Sequence, residues 1–146
     1  MLDPLDRKIL EELTKDGRQS MRELANKLKV SVGTVTKHVK KLEKTGIITG
    51  YAAVVNHEKL GYDLTAIIEL SISKGRLLEV ERLVSAKKNV CAVYDVTGTS
   101  DAIVIAKFKN RKELSDFVKN LLSHEYVEST ITHVVLNTVK EKFSWV

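Results

Sequence analysis

The sequence predicts an α+β protein in two parts. An N-terminal three-helix helix-turn-helix domain (residues 1–46) is followed by a β-strand linker (47–61) and a C-terminal ferredoxin-like βαββαβ sandwich (62–146). Three observations predict it. Up to Lys44 the apolar residues recur at helical spacing in three blocks separated by turn residues. Past Gly61 the pattern changes to strand, helix, two strands, helix and strand. The basic surplus belongs to the first part, with 12 Lys/Arg against 8 Asp/Glu in residues 1–60 and 12 against 11 in the remainder, within a formal net charge of +5.

The first helix opens at Asp3-Pro4, an N-cap followed by a proline whose ring presets the helical φ and whose missing N–H is not needed there. Leu5, Ile9 and Leu13 continue it to about Lys15, before the turn pair Asp16-Gly17. Ser20 and Glu23 form a capping box, and Met21, Leu24, Ala25 and Leu28 make the apolar stripe of the second helix. Only Lys29 and Val30 separate it from Ser31, the N-cap of a third helix. So short a connection is that of a helix-turn-helix, with the third helix as the one that enters the DNA major groove.

In that third helix Val35, Val39 and Leu42 recur at i, i+4 and i+7 as one buried stripe. Gly33, Lys37, Lys40, Lys41 and Lys44 project the other way, with Thr34 and Thr36 on the shoulders. Between Lys27 and Lys44 the only acid is Glu43, whereas a solvated helix mixes signs to gain i,i+4 pairs. The imbalance points to a polyanion. Gly33 costs a helix roughly 1 kcal/mol relative to alanine, so it serves close approach of another surface.

Gly46 is the expected left-handed C-cap, and Ile47 through Val55 has the β-branched and aromatic content of a strand. Asn56, His57 and Gly61 mark a bend. In the second part Leu64, Ala66, Ile68, Leu70 and Ile72 alternate with Thr65, Glu69 and Ser71 along a strand. Arg76 to Ala86 reads as a helix with Leu77, Val80 and Val84 inward. Val90 to Val96 and Asp101 to Phe108 read as strands joined by a hairpin with a positive φ at Gly98. Arg111 to Leu122 is a helix with Leu114, Phe117, Val118, Leu121 and Leu122 inward, and Ile131 to Val139 closes the sheet. Two helices cover one face only, leaving Ile67, Val93, Ile103, Ile105 and Val135 as an apolar surface for self-association.

At 43% hydrophobic the chain has enough apolar content for real cores, which excludes disorder. No apolar run approaches the roughly 18 residues that span a bilayer, and MLDPLDRK lacks a signal peptide's apolar core, so a cytoplasmic protein with no membrane partner is expected. The single Cys91, in an apolar stretch, reads as packing. His38, His57, His124 and His133 lack metal spacing and no phosphate-binding glycine loop follows a strand, so neither an enzyme, a metal site nor a cofactor is expected.

Five segments in order, LDRKIL, DGR at Asp16–Arg18, ELA at Glu23–Ala25, VKKLEKTGIITGY at Val39–Tyr51 and VTGTSD at Val96–Asp101, resemble the Lrp/AsnC, or feast/famine, transcription regulators over essentially the whole chain. The resemblance implies a winged or simple helix-turn-helix, a strand linker and a ligand-sensing ferredoxin-like domain. It also implies dimers that assemble into tetramers or octamers, an amino-acid or related effector, and binding to double-stranded promoter DNA. Where the family commonly has two arginines this chain has Lys37 and His38. Lysine is a point charge without the planar fork that grips guanine, so Gly33, Thr34 and Lys37 are the expected base readers, and Lys40, Lys41 and Lys44 the phosphate contacts. Ser31, Thr36 and His38 complete the expected DNA-binding set. The family's effector pocket maps to Thr97, Gly98, Thr99, Ser100 and Asp101 with Thr130 and Thr132 opposite, where a carboxylate can meet an α-ammonium and loop N–H groups an α-carboxylate. The alternative is an architectural DNA-binding protein of low sequence specificity, because a lysine-rich helix favours backbone over base contacts.

Overall fold

In the computed structural model, which describes residues 2–142, the chain divides into two compact units, residues 2–54 together with 140–142 in the first and Val55–Val139 in the second. The expected second domain runs to residue 146, so its last four residues lie outside the described ones.

The first unit contains α1 (Pro4–Lys15), α2 (Met21–Leu28) and α3 (Val32–Lys44). Each starts where a side chain satisfies the exposed N–H groups of the first turn. Asp3 and Asp6 form a capping box on α1, Ser20 and Glu23 another on α2, and Ser31 Oγ accepts from the Thr34 N–H of α3. The two-residue turn between α2 and α3 is made by Lys29 in the left-handed region at φ 56°, the only non-glycine there among the described residues. Gly46 adopts φ +72° past α3, and Ile47 and Ile48 both donate to Leu42 O. The stripes meet in a core of Ile9, Leu10, Leu24, Ala25, Val35, Val39 and Leu42, with Ile48 packed against it.

The linker departs from its expected form. Residues 47–55 are not a strand, and no strand forms among the described residues of the first unit. A strand exists only beside a hydrogen-bonded neighbour, and this segment has none within one chain. Tyr51, Val54 and Val55 are exposed, and the Tyr51 hydroxyl donates to Glu43 Oε1 at 3.0 Å. The expected bend is present: Glu58–Leu60 form one 3-10 turn, Asn56 Oδ1 accepts from the Lys59 N–H, and Gly61 has φ +83°.

The second unit runs β1 (Leu64–Ile72), α4 (Leu77–Ser85), β2 (Val90–Asp95), β3 (Ala102–Phe108), α5 (Arg111–Leu122) and β4 (Val127–Val134). The sheet order is β2-β3-β1-β4 with every neighbouring pair antiparallel, which is the ferredoxin-like arrangement. Ala66, Ile68, Leu70, Val104, Phe108, Val80, Val84, Phe117 and Leu121 build its core, the rings of Phe108 and Phe117 meeting edge to face with centroids 5.2 Å apart.

Four expectations about side chains or bounds need correcting. β4 begins and ends earlier than Ile131–Val139, because its register starts with Val127 opposite Ile72, the last residue of β1, and runs to Val134 opposite Ala66, with the Val135 N–H still donating to Thr65 O; Leu136 and Val139 are exposed. Val93 packs against the core rather than on the open face. A register shift between Val90 and Ala92 breaks the strict alternation of β2, so that Val90 and Val93 both face the helices and Tyr94, opposite Ile103, lies on the open side. The same irregularity leaves Cys91 exposed instead of packed. Leu122 is exposed, since the last turn of α5 carries it past the stripe of Leu114, Phe117 and Leu121.

Candidate functional site

The outer face of α3 is built as its sequence requires. With Val35, Val39 and Leu42 buried, Gly33, Lys37, Lys40 and Lys44 are all exposed. Lys37, Lys40 and Lys44 make no ion pair among the described residues, so three ammonium groups stand unneutralised on one helix face. At Gly33 an added Cβ would meet only Ser31 Oγ, at 3.9 Å. Nothing inside the protein therefore requires glycine there. The hydroxyls nearby serve the helix itself: Ser31 Oγ and Thr34 Oγ1 lie 2.8 Å apart, and Thr36 Oγ1 donates to Val32 O at 2.8 Å.

Two of the expected DNA contacts are held elsewhere. Lys41 Nζ donates to Asp6 Oδ2 at 2.6 Å and reaches Asp3 Oδ2 at 3.5 Å. His38, mostly packed, lies with Nδ1 2.7 Å from Asp6 Oδ1; an ionised carboxylate only accepts, so the ring nitrogen donates. Asp6 is fully buried. Burial pushes its carboxyl upward, and the Lys41 ammonium, the Asp3 backbone N–H and His38 together outweigh that, holding it far below the usual carboxylate range. Asp6 in turn raises the Lys41 ammonium. Asp3, Asp6 and His38 are the one group among the described residues whose possible metal-ligating atoms lie within 4.8 Å of one another, and the Lys41 ammonium fills the place a cation would take. Asp6 was missed in the sequence, although its signal was there: an acid three residues before Ile9, on the buried stripe of α1.

In the second unit the structure distributes the residues of the expected effector pocket. Gly98, at φ +122°, turns the loop between β2 and β3. Thr97 and Thr99 are exposed on it. Asp101 Oδ2 accepts from the Ile72 N–H at 2.7 Å, while the Asp101 N–H donates to Leu70 O. Ser100 Oγ donates to Glu69 Oε2 at 2.5 Å, and His133 Nε2 donates to Glu69 Oε1 at 2.8 Å. The Ser100 bond, followed by that of His133, lowers the Glu69 carboxyl. Thr130 pairs with Leu70 and Thr132 with Ile68, which places both threonines on the helix side of the sheet. Glu69, Ile131 and His133 lie on the open side. Loop and threonines thus flank the same end of β1 from its two neighbours, on opposite faces. Glu69 and His133 were not among the expected residues; alternation along β1 puts Glu69 on the face of Ile67, but only the β4 register brings His133 to it.

The comparisons agree with both halves of this geometry. Residues 2–49 match the family model described as winged helix-turn-helix DNA-binding, and residues 65–145 match the Lrp/AsnC ligand binding domain. An uncharacterized HTH-type transcriptional regulator of Pyrococcus abyssi is 52% identical over 98% of this chain and 97% of its own. The HTH-type transcriptional regulator FL11 of Pyrococcus furiosus is 36% identical over 97% and 93%. Among solved structures, a transcriptional regulator of Neisseria meningitidis in complex with L-Met superposes with a TM-score of 0.93 at 31% identity, covering 100% of this chain and 97% of that one. A helix-turn-helix that leaves three lysines bare, followed by a domain that matches the family's ligand-binding model, makes this chain a member of the Lrp/AsnC family of DNA-binding transcription regulators.

Proposed function

We propose that this regulator is a homo-oligomer that recognises promoter sites through the outer face of α3 and responds to an amino acid or a related small metabolite held by its second unit. The observation that carries the reading is the exposed face of α3, where Gly33 has open space above it and Lys37, Lys40 and Lys44 lack partners among the described residues. The glycine admits a base edge or sugar-phosphate backbone, and the lysines meet phosphates. His38 and Lys41 act from behind that face. On the effector side, Asp101 spends Oδ2 on the Ile72 N–H, leaving Oδ1 for a ligand ammonium beside the loop of residues 97–100. The neighbouring Neisseria protein was solved with L-Met, which supports an amino-acid effector here.

Self-association is supported by two surfaces. Ile67, Ile103, Ile105, Tyr94 and Ile131 share the sheet face that the two helices leave open. Residues 47–55 keep strand composition without a neighbour, which the same segment of a second copy supplies. A two-fold dimer presents two copies of α3 to half-sites about one DNA turn apart.

The test is selection of genomic fragments by the purified protein near physiological salt, with and without a pooled amino-acid mixture. A few palindromic promoter sites, shifted by the mixture, are expected. Recovery spread evenly over the genome and unmoved by the mixture would establish the architectural alternative, since a regulator prefers its sites over random DNA by about 10³ or more.

A further inference from the structure

We infer that Asp6 is a positioning residue for DNA reading: it locks α3 against α1 through His38 and Lys41, and it withdraws Lys41 from the charge that the protein offers to phosphates. The inference rests on the DNA reading above and goes beyond it by dividing the lysines of α3 into two kinds.

Asp6 is the only buried acid among the described residues of the first unit, and both of its oxygens are occupied from the same helix. Oδ2 takes the Lys41 ammonium and Oδ1 the His38 ring, one turn apart on α3. Asp3 adds a second carboxylate, 3.5 Å from Lys41 Nζ and 3.6 Å from His38 Nδ1. Hydrophobic contact between α1 and α3 tolerates small rotations of one helix against the other, because apolar packing has little directionality. Two charge-assisted bonds to one buried carboxylate do not, for each has a preferred length and angle. They fix the roll of α3 about its own axis, and so the direction in which Gly33, Lys37, Lys40 and Lys44 face. The Lys41 charge is meanwhile neutralised by a carboxylate that burial and hydrogen bonding hold in place. Lys41 thus belongs to the frame that aims the reading face.

The salt dependence of DNA binding separates these roles, since each phosphate contact contributes about one unit to the slope of log K against log [salt]. The probe is a duplex carrying a site recovered by the genomic selection, or a random genomic duplex if no site is enriched. Lys40→Ala is expected to flatten the slope by about one unit. Lys41→Ala is expected to weaken binding at every salt concentration while leaving the slope near the wild-type value. Asp6→Asn frees the Lys41 ammonium and is expected to weaken site-specific binding while steepening the slope. Should Asp6→Asn fail to fold, His38 decides: His38→Asn, whose amide nitrogen takes the place of Nδ1, is expected to retain the affinity that His38→Ala loses, both keeping the wild-type slope. A Lys41→Ala slope as flat as that of Lys40→Ala would overturn the inference alone. Wild-type protein without salt-dependent DNA binding would overturn the DNA reading with it.

Discussion

Gly33 costs its helix stability at a position where nothing inside the chain requires glycine. It stands in the first turn of α3, where alanine would be the better helix former by roughly 0.5–1 kcal/mol. The space above it would accept a methyl group. Gly33→Ala is therefore expected to raise the thermal midpoint slightly and to weaken operator binding by roughly tenfold, about 1.4 kcal/mol. Thermal unfolding alongside fluorescence anisotropy measures the two effects on one preparation, and a variant that gains stability with unchanged affinity removes Gly33 from the interface. This opposition was legible in the sequence, because a glycine between a good N-cap and a regular apolar stripe has no local task. The bonds to Asp6 were not. Periodicity shows which face of a helix is buried, but it does not say that Asp6 and Lys41, 35 positions apart, meet across two helices.

At the scale of elements, caps and stripes specified α1, α2 and α3 almost to the residue, and stripes alone placed α4 and α5, since each of those signals is local. Strands are different because their partners are remote. The span Ile47–Val55 has every intrinsic property of a strand and is not one in a single chain, while β4 begins four residues and ends five residues earlier than its hydrophobic content suggested. In both cases the available neighbour decided the outcome: none for the linker, and the end of β1 for β4. Pairing between two copies is expected to slow amide hydrogen exchange in residues 48–54 as protein concentration rises through the dimerisation range. Fast exchange there in a preparation that sediments as a dimer would show that the copies meet only elsewhere. The loop between β2 and β3 was legible as a turn through Gly98. The separation of Ser100 and Thr130 onto opposite faces was hidden in the strand register.

The molecule as a whole joins two units that respond differently to acid. In the first, Asp6 has a folded-state pKa well below its unfolded value near 3.9, so it contributes stability that is fully present above about pH 4 and is lost as pH falls toward the folded value. Protonation of Asp6 weakens its bonds to Lys41 and His38, the Lys41 ammonium being part exposed. In the second, Glu81 is shifted the other way, raised by burial and then by Asp95, and its Oε1 is buried without a hydrogen-bond partner. Its protonation relieves the fold, so that unit gains from this residue as pH falls through the raised value. Acid titration followed by hydrogen exchange is expected to unfold the helical unit first. Simultaneous loss of both units, or earlier loss of the sheet, would contradict this assignment. The irregularity in β2 has a consequence at the same scale. β2 is one outer strand of the sheet, and the shift between Val90 and Ala92 interrupts the even row of N–H and C=O groups that an incoming strand would need. Along that border an incoming strand would meet an uneven template, so this edge is guarded against open-ended addition of further strands.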